Sequence, residues 1–166
     1  ANIVQLGNST LHEAHPTLMN DGRIMYDRWE YVDRNFGDAQ ALWTMHPDGT
    51  KHAVYYGNNT ASPAAVIDAR TIPGSDLTAC IFGSCHDRLW GALALLDRSR
   101  GVDGIEPLVR IWPASSIEKV APEGDRRIED FDSFASIKIK YEDPFPLNEK
   151  QIIVSRYIQK SDGSFS

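Results

Sequence analysis

Asn20-Asp21-Gly22-Arg23-Ile24-Met25-Tyr26-Asp27-Arg28-Trp29 reads as a tight turn feeding a strand. Asp-Gly supplies the turn, and the run after it is short, aromatic and bounded. Ile72-Pro73-Gly74-Ser75 stands in the same place before residues 77–82, so Gly22 and Gly74 are 52 residues apart. Gly49 and Gly101, which each close the next strand pair, are also 52 apart, leaving 27 residues between the two glycines of each unit. That is room for a strand, a loop and a returning strand. A third, looser copy reads as a turn at Pro144-Phe145-Pro146-Leu147-Asn148-Glu149-Lys150 leading into residues 151–158, with Val154-Ser155-Arg156 standing where Tyr26-Asp27-Arg28 stand. Residues 114–133, with Pro, Gly, many charges and few apolar side chains, read as a long loop inserted before it.

Working outward, residues 41–45, 52–56, 64–67, 91–96, 108–112 and 134–141 read as further strands, and Ala1-Asn2-Ile3-Val4-Gln5-Leu6 is strand-like as well. No window holds apolar residues at helical spacing for three turns, so the fold class is all-β. Four short strands at a period near 50 predict blades of an incomplete β-propeller, about two and a half to three four-stranded antiparallel blades. The alternative is a β-sandwich, whose turns also recur at short intervals. The chain is read as one domain over residues 1–166, with approximate units 10–60, 61–113 and 134–166. A six-bladed ring needs on the order of 300 residues. The chain is therefore expected to be a processed or excised piece, closed by the remaining blades or domains of a parent protein or by self-association. The polar 160–166 stretch reads as a linker or long loop.

Composition narrows the partners. With 17 Lys+Arg against 23 Asp+Glu the formal charge is −6, and no basic stripe is present to release counterions from a nucleic acid. No apolar run reaches the roughly 18 residues of a membrane span. Hydrophobic residues make up 42% of the chain, enough for a core.

Several side chains could carry chemistry. His86, Asp87 and Arg88 share one loop, where His could act as acid, base or ligand with Asp orienting it. The plain alternative is a solvated turn. His12 and His15 have ligand-like spacing, although no third metal ligand can be placed. In the stretch from Tyr26 to Arg34, Asp27, Trp29, Tyr31 and Asp33 would share one strand face and Tyr26, Arg28, Glu30, Val32 and Arg34 the other. Arg28, Trp29, Tyr31 and Arg34 are candidate ligand-binding residues, because aromatic faces with guanidinium groups suit a sugar or peptide. Packing between units is their structural alternative. Asp68 and Arg70 share a face and join the candidates, with pairing across units as the alternative.

Pro16-Thr17-Leu18-Met19-Asn20-Asp21-Gly22-Arg23-Ile24-Met25-Tyr26 looks like the P-x-x-S-P-D-G-x-x-I-x-F strand entry of TolB-type propellers. Leu42-Trp43-Thr44-Met45-His46-Pro47-Asp48-Gly49-Thr50 is similar to the second half of such a unit. A longer series, including Asp68-Ala69-Arg70-Thr71-Ile72-Pro73-Gly74-Ser75 and Tyr141-Glu142-Asp143-Pro144-Phe145-Pro146-Leu147, resembles the propeller region of the hydrazine synthase alpha subunit family and its uncharacterised secreted bacterial relatives. The resemblance implies a non-catalytic binding or scaffold portion of a larger extracytoplasmic protein, periplasmic or extracellular. The alternatives are a propeller-based carbohydrate hydrolase or lyase, with His86 and Asp87 near the chemistry, and a c-type haem electron-transfer module. For the latter, Cys80-Ile81-Phe82-Gly83-Ser84-Cys85-His86 would supply two thiols and an imidazole. Unpaired thiols rank ahead of a Cys80–Cys85 disulfide or a haem, and no cofactor is expected.

Overall fold

The computed structural model describes residues 2–30, 40–122 and 131–166. The strands are β1 (His12–Leu18), β2 (Ile24–Trp29), β3 (Gln40–Met45), β4 (Ala53–Tyr56), β5 (Thr60–Ser62), β6 (Ala65–Thr71), β7 (Leu77–Gly83), β8 (Ala92–Asp97), β9 (Leu108–Trp112), β10 (Ala121–Pro122), β11 (Ile139–Asn148) and β12 (Gln151–Ile158). The fold is all-β. Strands β1–β4 make one antiparallel meander and β6–β9 a second, and a parallel bridge from Gln40 to Ala65 joins them into one mixed eight-stranded sheet. The path of paired strands runs β1-β2-β3-β6-β7-β8-β9, with β4 branching from β3 and the one Gln40–Ala65 bridge pair joining the two meanders. Strands β11 and β12 form a separate hairpin, and β5 pairs with β10.

The glycine spacing has a conformational cause. Gly22 (φ 84°) and Gly74 (φ 72°) sit in the left-handed region in the β1–β2 and β6–β7 turns, a conformation costly for any residue with a Cβ. The two turns touch: the Asn20 side-chain amide donates to the carbonyls of Ile72 (2.8 Å) and Ser75 (3.2 Å). Gly49 and Gly101 likewise occupy corresponding connections, β3–β4 and β8–β9.

A second repeat lies in the backbone. The β1–β2 ladder shifts register between Ala14 and Thr17, β6–β7 between Ile67 and Arg70, and β11–β12 between Glu142 and Phe145. Each shift holds one left-handed residue: His15 (φ 45°), Asp68 (φ 47°) and Asp143 (φ 53°). His and Asp tolerate this region better than most residues, and a bulge of this kind bends a strand and re-aims its side chains.

The apolar residues divide into two clusters. In the first, Phe82 stacks on Tyr56 with ring centroids 5.6 Å apart and meets Phe134 edge-on at 6.1 Å. In the second, Ile67, Ile72, Ala79, Ile81, Leu93 and Leu95 pack against Tyr141, Ile152 and Val154 of the β11–β12 hairpin.

Several expectations are corrected. Residues 2–6 are in no strand, and the first strand is β1, a stretch whose Pro16 and bulge hide its alternation. Within the described part of 114–133 there is some regular structure, a 3-10 stretch over Ala114–Lys119 and β10 paired with β5, with Ser116, Val120 and Ala121 buried. Residues 133–136 form a 3-10 turn, so the strand expected over 134–141 begins at Ile139. The prolines expected in a turn at 144–150 lie within β11, next to the bulge, and only Glu149 and Lys150 turn. The 160–166 stretch folds back, pairing Phe165 with Gln159 and setting its ring 4.8 Å from that of Trp90. Among the described residues β12 has only β11 as a full strand partner, so the third unit is a hairpin and not a four-stranded sheet.

Candidate functional site

Strand β6 packs beside both β1 and β11, which gathers the three left-handed residues into one electrostatic neighbourhood. His15 Nδ1 lies 2.7 Å from Asp27 Oδ1 on β2, and the Asp27 carboxylate is buried at 3% exposure. The hydrogen bond that the His15 imidazole donates to Asp27 raises its pKa above the ordinary value; burial opposes this, and the charges of Asp27, Asp68 and Asp143 add to the rise. Burial pushes the Asp68 carboxyl above the usual carboxylate range, against the pull of Arg70 and His15. Arg70 Nη2 lies 3.5 Å from Asp68 Oδ1, and its guanidinium carbon stands 5.8 Å from the centre of the Phe145 ring. Asp68 and Arg70 therefore pair with each other within one strand, and not across units as the sequence alternative has it. A guanidinium, the buried Asp68 carboxylate, the exposed Asp143, an imidazole and the exposed Phe145 ring surround the same region. Such a set can donate to and accept from hydroxyls, amides and amines while a ring face stacks on the ligand.

The remaining sequence candidates are placed elsewhere. Arg28 pairs with Glu30, lies 3.7 Å from Glu13 and stands 4.8 Å over the Trp43 ring, so its charge is used within the first meander. Trp29 is half-buried, paired across the strands with His12 and Gln40. Tyr31 and Arg34 lie outside the described residues. His12 is exposed at the start of β1, and His15 is committed to Asp27. Among the described residues no three His, Cys, Asp or Glu side chains are grouped to hold a metal ion.

The loop holding His86, Asp87 and Arg88 sends each side chain to a different partner. His86 Nδ1 lies 2.9 Å from Asp132, whose carboxyl is held low chiefly by the backbone N–H of His86. Asp87 pairs with the buried Lys140, and Arg88 Nη2 donates to Glu142 at 2.9 Å while lying over the rings of Trp90 and Tyr157. Asp87 and Arg88 stitch this loop to β11, His86 ties it to Asp132, and the three do not aim at a common point. Lys140, Glu142 and Tyr157 were not visible as partners in the sequence, because they lie more than fifty residues from the loop. For His15 and Asp143 a signal did exist: each is followed by proline, as His15-Pro16 and Asp143-Pro144.

Cys80 and Cys85 are free thiols. Cys80 has no exposed surface, and burial pushes its thiol pKa far up; Cys85 Sγ accepts from Gln40 Nε2 at 3.8 Å. A thioether to Cys80 would require opening β7 in mid-sheet, and His86 already serves Asp132. These residues do not fit a covalently attached haem. Among the described residues no helix is long and apolar enough to cross a membrane. No family model, curated protein or solved structure matches the chain.

Proposed function

We propose that the chain is the binding or scaffold portion of a larger extracytoplasmic bacterial β-propeller protein of the hydrazine synthase alpha subunit kind. In this reading β1–β4, β6–β9 and β11–β12 are successive blades, and their inner strands take a carbohydrate or peptide ligand beside His15, Asp68, Arg70 and Asp143. One observation carries the reading: the same bulge, with a left-handed residue at the same register, recurs in the three hairpins β1–β2, β6–β7 and β11–β12 and gathers their polar side chains. Blades that share a radial repeat present equivalent positions to one axis, which is where such a ligand is held. The extracytoplasmic assignment rests on the sequence resemblance.

The experiment is an amide chemical-shift titration with a panel of oligosaccharides and short peptides. Shifts are expected at Asp68, Arg70 and Asp143, and the double variant Asp68→Asn/Arg70→Ala should weaken binding by about tenfold or more, roughly 1.4 kcal/mol. Panel members that bind with full affinity to the double variant, or that shift only residues remote from β1, β6 and β11, would refute the assignment of the site.

A further inference from the structure

We propose that the cleft between the β1–β2 and β6–β7 turns binds a free α-amino acid as its zwitterion, with the carboxylate on Arg98 and the ammonium on Asp76. The cleft encloses about 280 Å³ and is walled by residues of both meanders. It shares no residue with the site beside His15, Asp68, Arg70 and Asp143, and it is independent of the blade reading.

Most of the wall consists of polar groups that already serve each other. The Asn20 amide spans the two turns by donating to Ile72 and Ser75, and its carbonyl oxygen accepts from Thr71 Oγ1 at 3.3 Å. Arg23 directs Nε and Nη2 to Asp21, both at 2.8 Å, and Nη1 to Thr44 at 3.3 Å. Ser75 Oγ accepts from the Leu77 N–H, Ser99 Oγ donates to Asp97, and the Tyr55 hydroxyl meets Thr78 Oγ1 at 2.8 Å. Two charged side chains of the wall remain. Among the described residues neither Asp76 nor Arg98 has a side-chain hydrogen bond or an ion pair, with each other or with any other residue. The Arg98 guanidinium instead lies over the Tyr55 ring, its carbon 5.9 Å from the centre, which holds a cation at the cleft without using its N–H groups.

One cation and one anion, both without a polar partner and set apart in a cleft of hydrogen-bonded groups, match a ligand that carries both charges. A simple anion would be repelled by Asp76 and a simple cation by Arg98. A guanidinium takes a carboxylate through two N–H groups, and a carboxylate accepts from an ammonium, so each end of a zwitterion meets its complement. The volume is at the small end of ligand sites, which selects a single amino acid over a chain of them. Met19 and Tyr55, 7% and 5% exposed, give the cleft an apolar side on which a short aliphatic side chain can rest.

An amide chemical-shift titration of the full chain with L-valine tests this, against N-acetyl-L-valine, which lacks the ammonium, and L-valinamide, which lacks the carboxylate. L-valine is expected to shift the amides of Asn20, Ser75, Asp76 and Arg98, and each control compound should bind about fivefold more weakly. Asp76→Asn should weaken L-valine by about fivefold while leaving N-acetyl-L-valine unchanged, and Arg98→Gln should weaken it as much while leaving L-valinamide unchanged. Both side chains are exposed, so the two variants should melt with the unsubstituted chain. No shift at these amides with L-valine, equal affinity for the three compounds, or an affinity indifferent to both substitutions would overturn the proposal. Valine shifts confined to Asp68, Arg70 and Asp143 would place the ligand at the other site and overturn it as well.

Discussion

The hairpins β1–β2 and β6–β7 share one backbone plan and are filled with different chemistry. Behind the same bulge, Tyr26, Asp27 and Arg28 in the first correspond to Cys80, Ile81 and Phe82 in the second. The second set is buried without exception, all three at 0% exposure, inside the two apolar clusters. The first set is a polar network: Tyr26 hydroxyl with His52 Nδ1 at 2.6 Å, Asp27 with His15, and Arg28 with Glu30. A bulge fixes where side chains go and leaves open what they do there. The apolar filling puts the second hairpin in the core, and the polar filling holds the first one together by hydrogen bonds and ion pairs.

The largest expected contrast comes from truncating the corresponding residues Phe82 and Arg28. Phe82→Ala removes a ring held between Tyr56 and Phe134, leaving a cavity that should cost about 3–5 kcal/mol. Arg28→Ala strands the Glu13 and Glu30 carboxylates and frees the Trp43 face, a loss nearer about 1–2 kcal/mol because the site still reaches water. Denaturant unfolding of both variants measures the gap. Equal losses would mean that the first hairpin is as much core as the second.

A smaller effect examines what the two hairpins have in common. Gly22→Ala and Gly74→Ala should each cost about 1 kcal/mol, since a Cβ is disfavoured in the left-handed region. Nothing lies within 4 Å of the added carbon at either glycine, so the penalty is conformational and should be the same in both turns. Urea midpoints that differ by much more than their error would break the equivalence of the units.

Those glycines were the legible part of the fold, because a turn that needs positive φ leaves its mark on one residue. The alignment of Val154-Ser155-Arg156 with Tyr26-Asp27-Arg28 was legible for a related reason: Val154 and Ser155 keep the register of Tyr26 and Asp27 against their bulges. The inner strands were harder to see. A bulge shifts the two-residue alternation by one, so β1 matched no strand pattern, and Pro144 and Pro146 in β11 looked like turn residues. In the candidate site, Asp68 and Arg70 could be read together because they are two residues apart. The neighbours that give them meaning, His15 and Asp143, come from other hairpins, and local periodicity holds no information about which hairpins stack. The same limit applies to His86, Asp87 and Arg88, whose proximity in the chain suggested a joint role that their separate partners Asp132, Lys140 and Glu142 divide.

The smallest effect is the most specific to the first hairpin, since Ile81 leaves the second with no counterpart of Asp27. His15 should titrate above its ordinary value of 6.5, because the hydrogen bond to Asp27 outweighs burial. A group whose pKa is raised on folding adds stability that is complete below its unfolded value and fades as pH rises through the folded one. This contribution is therefore present in mild acid and lost on the alkaline side of the His15 titration. In Asp27→Asn the bond to a charged acceptor is gone while burial remains, so the His15 pKa should fall from its raised position, and the variant's stability deficit should be larger at pH 6 than at pH 8. Asp68 acts in a lower window: burial raises its pKa, so its contribution fades as pH climbs above the usual carboxylate range. The His15 imidazole resonances followed by NMR across pH 5–9 read this titration directly; an unchanged His15 curve in Asp27→Asn would show that the pair does not govern the first hairpin's charge.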